Sequence, residues 1–279
     1  MNSITVKDHS VTGESFSLDF DTTLELLRTT PQLSLSEIGR YYESPDYISH
    51  TDSARGWFEK IYQAVKKRAL KNKISILANY QKCPGMLLDF GCGTGDFLVE
   101  AKLSGWTCTG FEPNENARHR ALSKGIQLTE GVENLQPASF DAITLWHVLE
   151  HVHDVNHHLE VFSKLLKPNG ILVIAVPNFR SFDAVHYHNY WAAYDVPRHL
   201  WHFSRTAIAK LAANAGMHVV REHPMWFDAF YVSLLSERYK TGRMNPLKAF
   251  WVGFRSNLKA IRSGEFSSVI YILKNNHSS

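Results

Sequence analysis

Apolar positions recur along this chain with two different periods, and the change of period marks its parts. Between residues 4 and 26 they alternate: Ile4 and Val6, then Phe16, Leu18 and Phe20, then Leu24 and Leu26. Alternation sends successive side chains to opposite faces of a strand, and Thr12-Gly13 between the first two runs is turn chemistry. The pattern predicts a small antiparallel hairpin followed by a third strand. Thr30-Pro31 closes it, and Ser34 or Ser36 can cap a short helix through Tyr41. From residue 55 to 80 the period lengthens to that of a helix, with Trp57, Ile61, Val65, Leu70 and Leu77 recurring. Lys66, Lys67, Arg68, Lys71 and Lys73 lie between them and are expected on a solvated face.

Beyond residue 85 short apolar runs alternate with amphipathic ones. Residues 86–90, 107–111, 126–128, 140–145 and 171–176 read as strands, and 95–103, 115–124 and 155–166 as helices. In the last helix Val155, Leu159, Phe162 and Leu166 share one face, Asp154 stands at the N-cap, and Pro168-Asn169-Gly170 is expected to end it. Strand–helix alternation predicts an α/β fold with a mostly parallel sheet and helices on both faces. Residues 178–203 interrupt it with eight aromatic side chains and a cluster of histidines, an insertion expected to face a substrate. A helix at 206–215, a strand at 218–222, inserted helices over about 225–262 and a last strand at 267–273 complete the pattern.

Candidate chemistry starts where the run at 86–90 breaks into Gly91-Cys92-Gly93-Thr94-Gly95-Asp96. A strand, a glycine loop and a helix N-terminus together let a backbone approach a ligand closely. The spacing is not the dinucleotide fingerprint Gly-x-Gly-x-x-Gly, because the third glycine comes one residue early and Asp96 stands in its place. Asp89 precedes the first glycine by two residues, and Glu112 follows Gly91 by 21, at the tip of the next strand. A carboxylate there can accept both hydroxyls of a ribose.

These residues carry a resemblance. Leu-Asp-Phe-Gly-Cys-Gly-Thr-Gly, then Gly-Phe-Glu-Pro-Asn, then Phe-Asp-Ala-Ile-Thr-Leu-Trp-His-Val-Leu-Glu-His-Val resemble, in order, the class I S-adenosylmethionine-dependent methyltransferases over about residues 85–176. The resemblance implies a Rossmann-like seven-stranded sheet with an antiparallel end strand. It divides the chain into a small N-terminal β/helical module with a lid-like loop (residues 1–54) and a methyltransferase domain (55–279). The module resembles the zinc-ribbon module of one subgroup without its cysteines. The implied cofactor is S-adenosylmethionine. Gly91, Cys92, Gly93 and Gly95 would flank its amino-acid part, with Asp89 ordering that loop. Glu112 would take the ribose hydroxyls, Pro113 and Asn114 would flank the adenine with backbone near Val132, and Trp146 and His147 would meet the methionyl end. The rival readings are a NAD-dependent oxidoreductase and a cofactor-binding protein without catalysis.

For the transfer itself, residues 195–203 are expected to close the acceptor side of the pocket. Arg198 would grip an anionic group on the acceptor, and His199, His202 or His151 would remove a proton from an acceptor hydroxyl. His147, Glu150, His151, His153 and Asp154 invite a metal reading, since quinone-biosynthetic relatives have acidic residues here. His147 stands where those have a glutamate, so no metal is expected. The acceptor class is a small-molecule, glycan-like or lipid-like compound, with O-methylation the expected reaction.

Composition narrows the setting. Thirty basic and 27 acidic residues leave a net charge of +3 with no dense Lys/Arg tract, so no nucleic-acid partner is expected. Three cysteines, Cys83, Cys92 and Cys108, lack metal-ligand spacing and indicate a reducing compartment. Residues 1–10 have no signal-peptide core and no apolar run reaches about 18 residues, so a cytoplasmic protein without a membrane span is expected. One segment stays open. Lys248, Arg255, Lys259 and Arg262 share one face of a possible helix and Phe250, Trp251, Phe254, Leu258 and Ile261 the other. Such a helix either packs on its own domain or lies on a membrane surface.

Overall fold

Five strands follow the predicted alternation: β4 (Met86–Phe90), β5 (Thr107–Phe111), β6 (Gln127–Leu128), β7 (Phe140–Trp146) and β8 (Leu166–Pro177). In this computed structural model, which describes residues 3–42 and 57–276, they lie parallel in the order β8-β7-β4-β5-β6. The chain winds one way from β4 to β6 and the other way from β7 to β8. That reversal opens a crevice beyond the carboxyl ends of β4 and β7, where open α/β sheets bind ligands. The sheet gains β11 (Ser268–Asn275) and then β10 (Met217–Pro224). The antiparallel strand is β11, inserted between β8 and the edge strand β10, rather than at the edge itself. Pro168-Asn169-Gly170 does not end a helix but lies inside β8, beside a register shift opposite Phe140 and Ala142. A Cβ on Gly170 would come within 2.9 Å of the Phe140 carbonyl, so the close strand approach requires glycine.

Helices cover both faces because neighbouring residues of each strand point to opposite sides. Leu88, Ile143 and Leu172 pack with α5 (Val155–Leu165) and α7 (Arg205–Asn214) through Leu159, Phe162, Ile208 and Leu211. Their neighbours Leu87, Ala142 and Val173 pack on the other face with α2 (Trp57–Tyr80), α3 (Asp96–Leu103) and α4 (Glu115–Ser123) through Leu77, Phe97, Leu98 and Ala121. Among the described residues no helix is long and apolar enough to cross a membrane.

The N-terminal strands form as the alternation predicts: β1 (Ile4–Lys7), β2 (Ser15–Asp21) and β3 (Leu26–Thr30), followed by the one-turn α1 (Leu35–Ile38). The expected boundary near residue 54 does not separate two packing units, however. A fourth strand, β9 (Trp201–His202), comes from the aromatic insertion and pairs with β3. Val6, Phe16, Leu18 and Leu27 share one core with Phe179, Trp191, Tyr194 and Val196. Most of the aromatic segment at 41–50 lies outside the described residues, so its expected lid role is not described.

This union corrects the role expected of Arg198. Its side chain is 2% exposed and faces no acceptor. Both terminal positions and Nε are occupied: Nε and Nη2 donate to the Asp195 carboxylate at 2.9 and 2.6 Å, Nη2 also to Asp8 at 3.1 Å, and Nη1 to the Tyr41 carbonyl at 2.8 Å. His202 is likewise structural. Thr29 Oγ1 donates its one proton to the His199 carbonyl, so it accepts from His202 Nε2. Burial, then the charge of His199, holds the His202 pKa well below the ordinary value. His202 is therefore a neutral donor inside the sheet rather than a base.

The last two helices pack together: α8 (Asp228–Thr241) and α9 (Pro246–Ser263). The face α9 buries is Ala249, Val252, Gly253, Ser256, Asn257 and Ala260. Its large apolar side chains point outward, which the sequence pattern alone had left undecided.

Removing one partner of a buried ion cluster leaves uncompensated charge and typically costs about 3–5 kcal/mol. Arg198→Met is expected to lower the unfolding free energy by that order in a denaturant titration, and a loss below about 1 kcal/mol would contradict the assignment. The Asp8 and Asp195 pKa values lie below the ordinary 3.8: burial pushes them up, but hydrogen bonds and the Arg198 charge outweigh it. Their contribution is present above the unfolded value of 3.8 and is lost as pH falls through the lower folded values.

Candidate active site

The loop leaving β4 turns sharply three times. Gly91, Gly93 and Gly95 all have positive φ, at 78°, 53° and 77°. Gly91 is also fixed by packing, since a Cβ there would sit 2.4 Å from Val148 Cγ2. At Gly93 a Cβ would meet nothing within 4 Å, so the chain bends there around open space. The Phe111 carbonyl accepts from both Gly91 and Cys92 N–H, at 2.7 and 2.9 Å, and ties the loop to the end of β5. Next along the chain, Glu112 accepts from the Gly93 N–H at 2.8 Å and the Asn114 N–H at 2.9 Å. Its carboxylate thus sits at the mouth of the glycine loop with lone pairs remaining for hydroxyls.

Beneath the loop Asp89 is buried and accepts from Thr144 Oγ1 at 2.6 Å. Burial raises its pKa to about 7, against the opposing Thr144 hydrogen bond and Lys73 charge. Cys92 is a thiol packed in the core, its pKa pushed up to about 12 mainly by burial. Asn114 caps α4 by accepting from the Ala117 N–H at 3.0 Å, so its side chain is committed to the helix. Pro113 is exposed beside it. The Val132 side chain belongs to the core, and its N–H donates to Glu133 at 3.1 Å. The backbone expected to meet the adenine is therefore already paired to a neighbouring side chain.

Two residues the sequence reading passed over complete this wall. Lys73, expected among solvated lysines, sits with its Nζ 4.4 Å from the centre of the Trp146 ring and 5.7 Å from that of Phe97. Burial pulls its pKa down to about 8, and Asp89 and Asp228 resist. The signal was in the spacing: Lys73 follows Leu70 by three and precedes Leu77 by four, so it shares the inward face. Asp228, the first residue of α8, is the other, and it reaches the site only through the fold. Its Oδ2 lies 3.3 Å from His147 Nε2, while Glu150 Oε1 lies 3.4 Å from His147 Nδ1. His147 has a left-handed φ of 57° and donates its N–H to the Ala175 carbonyl at 2.9 Å. Burial disfavours its charge, but the two carboxylates prevail and raise its pKa to about 10. His147 is thus a cation at neutral pH. Its pairing stabilises the fold fully below the unfolded value of 6.5 and is lost as pH rises through about 10.

Past β7 a short 3₁₀ turn, Leu149–His151, brings Glu150 and His151 against the 195–203 segment. The Leu200 N–H donates to the Glu150 carbonyl at 2.8 Å. His151 Nδ1 lies 2.9 Å from the Arg198 carbonyl, and His199 Nδ1 lies 2.8 Å from that of Ala193. A carbonyl only accepts, so each Nδ1 carries a proton and Nε2 is the ring atom left to face other groups. The two rings meet edge to face at 4.6 Å. Burial, then the neighbouring His199, lowers the His151 pKa to about 4, which keeps it neutral. Glu150, Glu150's buried carboxylate oxygens having no hydrogen bond among the described residues, completes a group with these histidines. One ligand atom from each of Glu150, His151 and His199 lies within 4.8 Å of the others, a set that could hold a metal ion. The expectation of no metal rested on the missing cysteine pairs and on His147, none of which belongs to this trio.

The wall fits S-adenosylmethionine. The open bend at Gly93 admits a ligand against backbone, and Glu112 faces it with a carboxylate suited to a ribose. The buried Trp146 Nε1 has no partner among the described residues, and with the Lys73 ammonium it makes a donor set suited to a carboxylate.

Residues 57–222 match the profile of a family described as the methyltransferase domain. The chain belongs to the methyltransferase domain family. That assignment removes the NAD-dependent oxidoreductase reading. A ubiquinone biosynthesis O-methyltransferase of Vibrio cholerae is 33% identical over 166 residues, covering 54% of this chain and 64% of that protein. Its counterpart from Vibrio atlanticus is 33% identical over 108 residues, covering 34% and 46%. The chain thus spans about half the length of the curated relatives it matches. Among solved structures, magnesium protoporphyrin IX methyltransferase of Synechocystis, with bound S-adenosylhomocysteine, is 12% identical with a TM-score of 0.57, over 87% of this chain and all of that one. A methyltransferase of Thermotoga maritima, described as a possible histamine N-methyltransferase, is 18% identical with a TM-score of 0.56, over 85% and 98%. At such identities the likeness concerns the fold.

Calorimetry with S-adenosylhomocysteine is expected to give binding that Glu112→Ala weakens by about 1.5–3 kcal/mol, the range for hydrogen bonds to a charged group. Lys73→Met is expected to weaken it within the same range, roughly, since it removes a charged donor. Unchanged affinity in both variants, or preferential binding of NAD, would contradict this placement of the cofactor.

Proposed function

We propose that this methyltransferase-domain protein transfers the methyl of S-adenosylmethionine to a hydroxyl oxygen of a small-molecule acceptor, with the His151–His199 pair receiving the hydroxyl proton. The observation that carries this reading is the orientation of the two imidazoles. Each spends its Nδ1 proton on a backbone carbonyl, which leaves Nε2 as the atom that can exchange a proton with an acceptor. They stand beside Glu150, directly after the strand that ends at Trp146 and His147. The relatives named for ubiquinone biosynthesis O-methylation make a phenolic hydroxyl the first acceptor class to test.

S-adenosylmethionine supplies an electrophilic methyl on a positive sulfur. The glycine loop and Glu112 position the donor, and Lys73 with Trp146 holds its carboxylate end. Orienting donor and acceptor removes the entropic cost of their encounter. The acceptor hydroxyl loses its proton to Nε2 of His199 or His151, and the Nδ1–H bond of that ring to its carbonyl holds the orientation during the transfer. Glu150, kept below the ordinary carboxylate pKa by His147 and the neighbouring imidazoles against its own burial, stabilises the imidazolium that results. His147, a cation between two carboxylates, positions Glu150 and does not act as a base at neutral pH.

A second reading uses the same trio as a divalent-cation site, because imidazole nitrogens and a carboxylate oxygen are metal ligands. The cation would then lower the pKa of the acceptor hydroxyl itself.

His199→Ala and His151→Ala are expected to cut turnover on a catechol or hydroxyquinol by a factor of roughly 10²–10⁴ while leaving S-adenosylhomocysteine affinity intact. Arg198→Lys and His202→Gln are expected to act through stability. Full turnover in both His151 and His199 variants would overturn the base assignment. Turnover that chelator abolishes and magnesium or zinc restores would select the cation reading. A chain that binds cofactor and methylates no acceptor in a broad hydroxylated panel would support binding without catalysis.

A further inference from the structure

Ten of the fourteen large hydrophobic side chains that stand exposed in the described chain fall between residues 226 and 261. Six belong to α9: Leu247, Phe250, Trp251, Phe254, Leu258 and Ile261, with exposures from 39% to 79%. At 100° per residue they form one stripe roughly 100° wide. The stripe continues onto α8, where Phe230 stacks on Phe250 at 5.5 Å, and Phe250 in turn on Phe254 at 6.2 Å. This is an apolar surface built of bulky rings and presented to water, which a monomeric protein rarely leaves uncovered.

The charge beside the stripe says what covers it. α9 carries Lys248, Arg255, Lys259 and Arg262 and no acidic residue. On the helical wheel all four lie along one border of the apolar stripe, and the small residues that pack on the domain occupy the remaining side. Arg255 and Lys259 lie over the Phe182 ring at 5.4 and 4.0 Å, which keeps their cationic ends at the level of the aromatic surface. Where α9 ends, a cleft of about 780 Å³ opens between apolar Phe182, Val185, Leu258 and Ile261, the cations Arg180, Lys259 and Arg262, and one acid, Glu265. Aromatic and leucine side chains on one face with lysine and arginine at its edge are the pattern of a helix lying in a membrane interface. A second copy of the chain is a poorer partner, because twofold pairing through α9 would set the same cations against one another.

We propose that α9 and the adjoining rings of α8 dock this protein on an anionic phospholipid surface. Phe250, Trp251 and Phe254 enter the acyl boundary while Arg255, Lys259 and Arg262 meet lipid phosphates. The inference goes beyond the methyl-transfer reading and does not depend on it.

The test is sedimentation of the full chain with vesicles of phosphatidylcholine alone and of phosphatidylcholine mixed with phosphatidylglycerol. The wild type is expected to bind the mixed vesicles at least tenfold, roughly, more tightly than the neutral ones, and to lose that preference as salt rises. Trp251→Glu/Phe254→Glu is expected to abolish binding, and Arg255→Gln/Lys259→Gln/Arg262→Gln to weaken it by roughly tenfold or more. All five positions are exposed, so both variants should fold, and unchanged circular dichroism and S-adenosylhomocysteine affinity verify it. Wild-type protein that ignores the mixed vesicles would overturn the proposal, as would variants that bind like the wild type. A wild-type dimer in analytical ultracentrifugation that Trp251→Glu/Phe254→Glu converts to monomer would overturn it in favour of a self-association face.

Discussion

The packing of residues 195–203 against the N-terminal strands depends on one buried guanidinium. Arg198 joins Asp8 of the N-terminal hairpin turn, Asp195 of the aromatic insertion and the Tyr41 carbonyl beyond α1. Moving these charges out of water is costly, and the ion pairs offset that cost because Nε, Nη1 and Nη2 together make four hydrogen bonds to Asp195, Asp8 and Tyr41. The arrangement then specifies more than stability. The Arg198 carbonyl accepts from His151, the Asp195 carbonyl accepts the His199 N–H, and Leu200 reaches Glu150. The same short segment that buries the charge therefore sets the His151 tautomer and the backbone position of His199. Its next residues pair with β3 and hold the N-terminal sheet over the domain.

The glycine loop and the position of Glu112 were legible in the sequence for a physical reason. Its parts are adjacent in the chain or separated by one βα unit, and backbone requirements leave a residue signature. Gly91, Gly93 and Gly95 need left-handed φ, and Glu112 falls at the next strand tip because a parallel crossover has a nearly fixed length. The acceptor side was legible only in part. The segment 195–203 was placed near the site, but residue type alone could not distinguish an arginine gripping a ligand from one neutralising Asp8, 190 residues away. His202 differs from His199 only in which neighbour its ring nitrogens meet, and that neighbour, Thr29, comes from the far end of the chain.

One further misreading and one segment left open share a cause, the assumption that charge marks the solvent side and bulk the core. Lys73 breaks it at the site, where Trp146, Phe97, Asp89 and Asp228 together accommodate an ammonium within the protein. α9 breaks it at the surface, where small residues such as Ala249, Gly253 and Ala260 pack closely on the domain and leave the rings outside. A Cβ on Gly253 would approach the Ala229 backbone to 3.0 Å, so the close contact of α8 and α9 selects small residues on the inward face. Periodicity reports a stripe; which side of it meets the domain is decided by the partner helix.

The fold presets the protonation of His147 and His151, the histidines on either side of Glu150, before any acceptor arrives. Long-range ¹H–¹⁵N correlation of the histidine side chains at neutral pH tests this directly. His151 is expected neutral with its proton on Nδ1, and His147 doubly protonated and remaining so until the pH approaches about 10. A protonated His151, an Nε2–H tautomer at that ring, or a neutral His147 at pH 7 would contradict it.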